Sequence, residues 1–159
     1  MTTNAVESKA SPHDVYLVLI DARAYARWVP GAKRVRAVDP TWPAVGARFH
    51  HTIGAPTVDI DDSTKIVELV ADRRVVLEAR FRPLGTAVVT IDLDPLEGGR
   101  TRITMSEAPR SGPIRKWWSI PLATLTGLRN AVSLRRLARL SEQRSRTRRA
   151  SEGGRRDGE

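Results

Sequence analysis

No cysteine occurs among the 159 residues of the chain. Disulfides, thiolate zinc sites, iron–sulfur clusters and cysteine nucleophiles are excluded together. Histidine is scarce as well, with 3 copies of which two are adjacent, so no metal constellation is expected. The chain has no Gly-rich loop leading into Lys-Ser/Thr, no GxGxxG and no GxSxG nucleophile elbow, so no cofactor is expected either. Long apolar runs are missing too. The longest, residues 16–20 and the threonine-broken 120–128, fall far short of the roughly 20 residues that cross a bilayer. The opening MTTNAVESKASPHD lacks the apolar stretch of a secretory signal. The expectation is one soluble, cytoplasmic domain, long enough to bury a core without metal or disulfide staples.

What the chain does have is positive charge, 27 Lys+Arg against 18 Asp+Glu. Residues 141–159 hold six arginines and four acids, with no aliphatic side chain larger than alanine. That stretch is read as a disordered Arg-rich tail, 143–159, offering weak contact with an anionic membrane or nucleic acid. Residues 1–140 keep an excess of +7, read as spread along the chain. With eight aromatics, none of them in the tail, the basic balance does not point to a specific nucleic-acid partner.

Along the chain, a short strand is expected at residues 5–9. Ser11 caps a helix that opens on Pro12, with Asp14 at the positive end of the dipole. A second short helix, 22–28, stops at Val29-Pro30-Gly31. The period then changes to two. Strands are expected at 34–38, 46–53, 58–70 with a break at Asp61-Asp62, 74–82, 86–96 and 100–108. Val75, Leu77, Ala79 and Phe81 share one face, as do Ala87, Val89, Ile91 and Leu93, and then Ile103 and Met105. After Ser111-Gly112-Pro113 the helical period returns for about 28 residues, with Pro121 either kinking the helix or separating an entry turn from the main segment. Arg129, Arg135, Arg136 and Arg139 are read as its basic outer face. An apolar sheet face and a long apolar helix must cover each other.

Ser11-Pro12-His13-Asp14-Val15-Tyr16, Tyr25-Ala26-Arg27-Trp28-Val29-Pro30-Gly31, Gly98-Gly99-Arg100-Thr101-Arg102-Ile103 and the ending Arg129-Asn130 with Ser133-Leu134-Arg135-Arg136-Leu137 together resemble the START-like (SRPBCC) superfamily, in its polyketide cyclase/dehydrase-like branch of small bacterial proteins. The resemblance covers about residues 2–142 and sets a ligand-binding domain at 1–142. It implies an α+β helix-grip fold: a curved antiparallel sheet of about six or seven strands around a long C-terminal helix, with two short helices after the first strand. It also implies an internal cavity for a hydrophobic molecule, lipid, isoprenoid or polyketide-like, held as carrier or sensor. The alternative is a polyketide cyclase/dehydratase-type enzyme using the same cavity.

Within that frame the expected lining is Trp28, Phe49, Leu77, Ala79, Phe81, Ala87, Val89, Ile91, Ile103, Met105, Trp117, Trp118, Leu122 and Leu125. Strand parity sends His50 and His51 to opposite faces, with His51 inward beside Phe49 and Ile53. Glu107 shares parity with Ile103 and Met105, which sets a carboxylate at the end of an apolar face, where it must shift its pKa or find an arginine. His51 and Glu107 are therefore the candidate acid–base pair. Asn130 could offer the cavity a neutral hydrogen-bonding group. Asp59, Asp61 and Asp62 are read as a solvated edge.

Overall fold

The computed structural model describes residues 1–55, 57–117 and 119–156. Strand β1, Thr2–Ser8, leads through the Ser11 cap into α1, Pro12–Leu19. The Ser11 hydroxyl accepts from the Asp14 amide at 3.2 Å, as the sequence pattern requires. A 3-10 turn at Ala22–Ala24 runs into the single-turn α2, Tyr25–Trp28. Then come β2 (Ala32–Val38), β3 (Arg48–Ala55), β4 (Val58–Val70), β5 (Arg74–Phe81), β6 (Gly85–Leu96) and β7 (Arg100–Ser111). A short α3, Ile114–Trp117, precedes the 37-residue α4, Ile120–Arg156. Pro121 stands in the first turn of α4, where its missing amide hydrogen costs nothing.

The seven strands form one antiparallel sheet in the order β1-β7-β6-β5-β4-β3-β2. Six strands follow one another as a meander and only β1 crosses over, to pair with β7. This is the α+β helix-grip arrangement: a curved sheet whose apolar face is covered by α4 and the short helices. Ile66, Val75, Leu77, Ile91, Leu93, Ile103 and Met105 from the sheet meet Leu134, Leu137 and Ala138 from α4 and Val15, Val18 and Leu19 from α1. Polar ties fix the helix against β1. Ser8 donates to the Ala138 carbonyl, and the Lys9 amide donates to Glu142 at 2.9 Å.

Two expectations fail here. The strand 58–70 is unbroken at Asp61-Asp62, and it lies inside the sheet between β3 and β5 instead of forming a solvated edge. The physical reason is that Asp62, 2% exposed, accepts from the amides of Ser63 and Arg82, while Asp61 accepts from Thr52 and pairs with Arg36. Both carboxylates are satisfied without leaving the strand. The tail, expected to be disordered from residue 143, continues α4 as helix through Arg156. A buried carboxylate holds it. Asp14, with no exposed surface, accepts from Ser145 and from Arg148 at 3.1 Å, in addition to Ser11. Burial works to raise the Asp14 pKa, but these donors outweigh it and hold the carboxyl below its ordinary range.

Candidate functional site

Cross-strand register places the site. Leu77 of β5 stands opposite Val89 of β6, and Val89 opposite Glu107 of β7, so one row across three strands ends on a carboxylate. The next row is Ala79, Ala87 and Pro109. Of this row only the small Ala79 borders open space; Ala87 is fully buried. Over this area lie α2 and the segment of α4 around Arg129, and between the layers are two neighbouring spaces.

The inner one, about 30 Å³, is bordered by Trp28, Thr64, Leu77, Val89, Met105 and Glu107 and is large enough for about one water molecule. The outer one, about 240 Å³, is bordered by Pro30, Gly31, His51, Ile53, Gly54, Ile60 and Arg80. Tyr25, Val29, Ala79, Phe81 and Arg129 border both. Gly54 has φ 157°, and a Cβ there would lie 1.8 Å from the Val58 carbonyl oxygen, so the β3–β4 turn beside the pocket requires glycine.

At the junction stands a charge cluster. Glu107, with 3% of its side chain exposed, accepts from Arg129 at 2.7 Å and from Asn130 at 2.8 Å, both on the same oxygen. The Arg129 guanidinium also lies over the Phe81 ring, 5.8 Å from its centre. The arginine demanded by a buried glutamate is thus present, but it comes from a residue the sequence pattern assigns to the outer basic face. The helix turns it inward because position 129 lies at the border of the covered face, beside buried Asn130.

His51 is inward, as parity requires, and 1% exposed. Its Nε2 is 3.0 Å from the Thr64 hydroxyl, while its Nδ1 is buried without a partner. Burial pushes the imidazole down to about 4; Asp62 works against this, while Arg36 and His50 add to it. The ring is neutral at pH 7. His50 faces the other way, 3.8 Å from Asp39.

The depressed pKa fixes a pH dependence. Between the unfolded value near 6.5 and about 4, the unfolded chain binds a proton that the folded chain refuses. Stability therefore falls as the solution is acidified through that window, by about 3 kcal/mol from this group. Urea midpoints of a His51→Gln variant, measured from pH 7 to 4, are expected to lose most of this slope. A slope identical to that of the native chain would assign it to other groups.

Of the expected lining, Trp28, Leu77, Ala79, Phe81, Val89 and Met105 border the spaces. Phe49 is packed instead between Tyr25 and Trp42, with ring centres 4.7 and 5.1 Å away. Ala87, Ile91 and Ile103, each 0% exposed, sit in the close-packed core. Leu122 is half-buried and outside both walls, and Leu125 is 65% exposed on the outward side of α4, so neither lines the pocket. Trp118 lies outside the described residues, as does the side chain of Trp117. Tyr25, Thr64 and Arg129 were missed. Tyr25 precedes Trp28 by three residues, a helical neighbour of a buried aromatic, and was the most readable of the three.

A pocket between a gripped helix and an antiparallel sheet accords with the result of comparing the sequence with family models. Residues 2–142 match the model described as polyketide cyclase / dehydrase and lipid transport. The chain belongs to this family. No curated protein sequence is similar enough to match. Solved structures with the same fold include the Zhui aromatase/cyclase from Streptomyces sp. R1128, at TM-score 0.69 and 15% identity over 91% of this chain and 94% of that one. Protein CV1439 from Chromobacterium violaceum matches at TM-score 0.59 and 25% identity, covering 89% and 99%. Protein NE0264 from Nitrosomonas europaea matches at TM-score 0.65 and 19% identity, covering 89% and 93%. Among the described residues no group of three or more His, Asp or Glu side chains could hold a metal, and no helix is long and apolar enough to cross a membrane.

Proposed function

We propose that the pocket binds a small, mostly apolar molecule bearing an oxygen function, and that the protein acts as its carrier or sensor. The observation that carries this reading is Arg129, a cation bordering both spaces among Tyr25, Val29, Ala79 and Phe81. Its charge is balanced by Glu107, yet a third of its side chain remains exposed to receive a ligand oxygen. The unpartnered Nδ1 of His51, in the same outer wall, supplies a second polar point. An outer space of about 240 Å³ is below the roughly 300–1,000 Å³ of pockets for drug-sized ligands, which favours one or two rings or a short isoprenoid.

Binding is favoured over turnover by the state of the two candidate acid–base groups. A histidine titrating near 4 is a poor proton donor and a weak base at pH 7. Glu107 already accepts two hydrogen bonds on one oxygen. Isothermal titration with 2-naphthol and naphthalene tests the reading. The naphthol is expected to bind one to one with a negative heat-capacity change, and naphthalene about tenfold more weakly for lack of one hydrogen bond. Absence of binding by both would overturn it.

A further inference from the structure

The charge of this chain is not diffuse. Residues 1–107 hold 14 basic and 14 acidic side chains and balance. Residues 108–141 hold seven basic side chains and not one acid, and so carry the whole excess ahead of the C-terminal segment. Averaging over 140 residues hides this. In the structure the segment is the end of β7, α3 and the first part of α4. Arg110 pairs with Glu78 and Arg129 turns in to Glu107, whereas Arg135, Arg136 and Arg139 make no ion pair among the described residues.

Those three arginines continue a stripe that begins apolar. Leu125, Leu128 and Val132 are 65%, 63% and 38% exposed. With Arg135 and Arg139 they follow one another at spacings of three, four, three and four, which is one face of a helix. That face points away from the sheet, since Asn130, Ser133, Leu134, Leu137 and Ala138 on the opposite side are buried. The stripe is about 21 Å long at the helical rise per residue. Isolated exposed leucines need no explanation, but neighbours on one stripe mark a surface that meets something.

We infer that this outward face of α4 docks on an anionic lipid bilayer, the leucines entering the interface and the arginines meeting the headgroups. Charge decides among occupants. A second copy related by a two-fold axis would set this acid-free surface against itself, arginines included. Nucleic acid would satisfy the arginines but leave two leucines desolvated against phosphate, with no described aromatic on the stripe for a base to stack on. An anionic membrane satisfies both halves. The stripe also runs beside the pocket, since Arg129, which borders both spaces, directly follows Leu128. The inference does not depend on what the pocket binds.

Vesicle sedimentation of the full chain tests it, with phosphatidylcholine alone and with equal parts phosphatidylcholine and phosphatidylglycerol. Binding is expected to the anionic vesicles only and to weaken as salt is added. Combined Arg135→Glu, Arg136→Glu and Arg139→Glu should lower it about 100-fold. Leu125→Ser with Leu128→Ser should lower it about tenfold or more. All five positions are exposed, so thermal melts should stay within a few degrees of the native chain, and 2-naphthol titration serves as a second check of folding. Equal binding to both vesicle types would overturn the inference, as would anionic binding unchanged in the variants, which would assign it to the arginines beyond residue 143. A dimer that the leucine pair dissociates, or RNA binding lost with the arginines, in either case without vesicle binding, would also overturn it.

Discussion

Replacing Arg129 by leucine is expected to lower the free energy of unfolding by about 3 kcal/mol at pH 7, near the lower end of the range for breaking a buried ion pair. The lower end applies because a third of the arginine side chain is exposed and Asn130 still donates to Glu107. What costs the energy is the stranded carboxylate, 3% exposed among apolar neighbours, more than the lost attraction. One consequence separates this from loss of packing. Adding Glu107→Gln should recover much of the stability, since a neutral amide no longer requires a cation. If the double variant were as unstable as the single one in urea titrations, the cluster would be held by packing and not by charge.

Truncation after Glu142 is the second large expected effect. A reading of composition alone makes residues 143–159 dispensable. The structure makes them the partner of a fully buried Asp14, through Ser145 and Arg148. Their removal leaves that carboxylate with the Ser11 hydroxyl. The expected loss is about 3 kcal/mol, which for a chain of this size lowers the melting temperature by roughly 10 °C. The sign with pH follows from the depressed Asp14 pKa. Its contribution is present above the unfolded carboxyl pKa and is lost as pH falls through the lower folded value. The truncated chain should therefore differ least from the full chain in strong acid. Asp14→Asn in the truncated background should restore part of the loss, and a melting temperature indifferent to truncation would show that the α4 extension is not docked.

The strands were legible because side-chain parity and turn residues are local signals. Leu77, Ala79 and Phe81 announce one covered face, and Glu107 announces itself as an oddity on another. Partners across 20 to 134 residues were not legible. Asp62 looks like a strand breaker until the Arg82 amide meets it, and Arg148 looks like tail until Asp14 meets it. Arg129 illustrates the same limit, since four arginines on one helix are equivalent in a list and only packing selects the one that turns inward. The charge asymmetry is a different case. It is visible in the sequence, but only when the chain is divided at Glu107, and the fold is what suggests dividing it there.

The central claim is that the space beneath α4 takes up a small molecule, and a blocked pocket tests it most directly. Ile53 borders the outer space and is half-buried, so tryptophan at this position can fill the space without disturbing the core. Native mass spectrometry with 2-naphthol should show a one-to-one adduct on the native chain and little or none on Ile53→Trp, with both chains equally folded by circular dichroism. Equal adducts on the two proteins would contradict the account and move the binding site elsewhere.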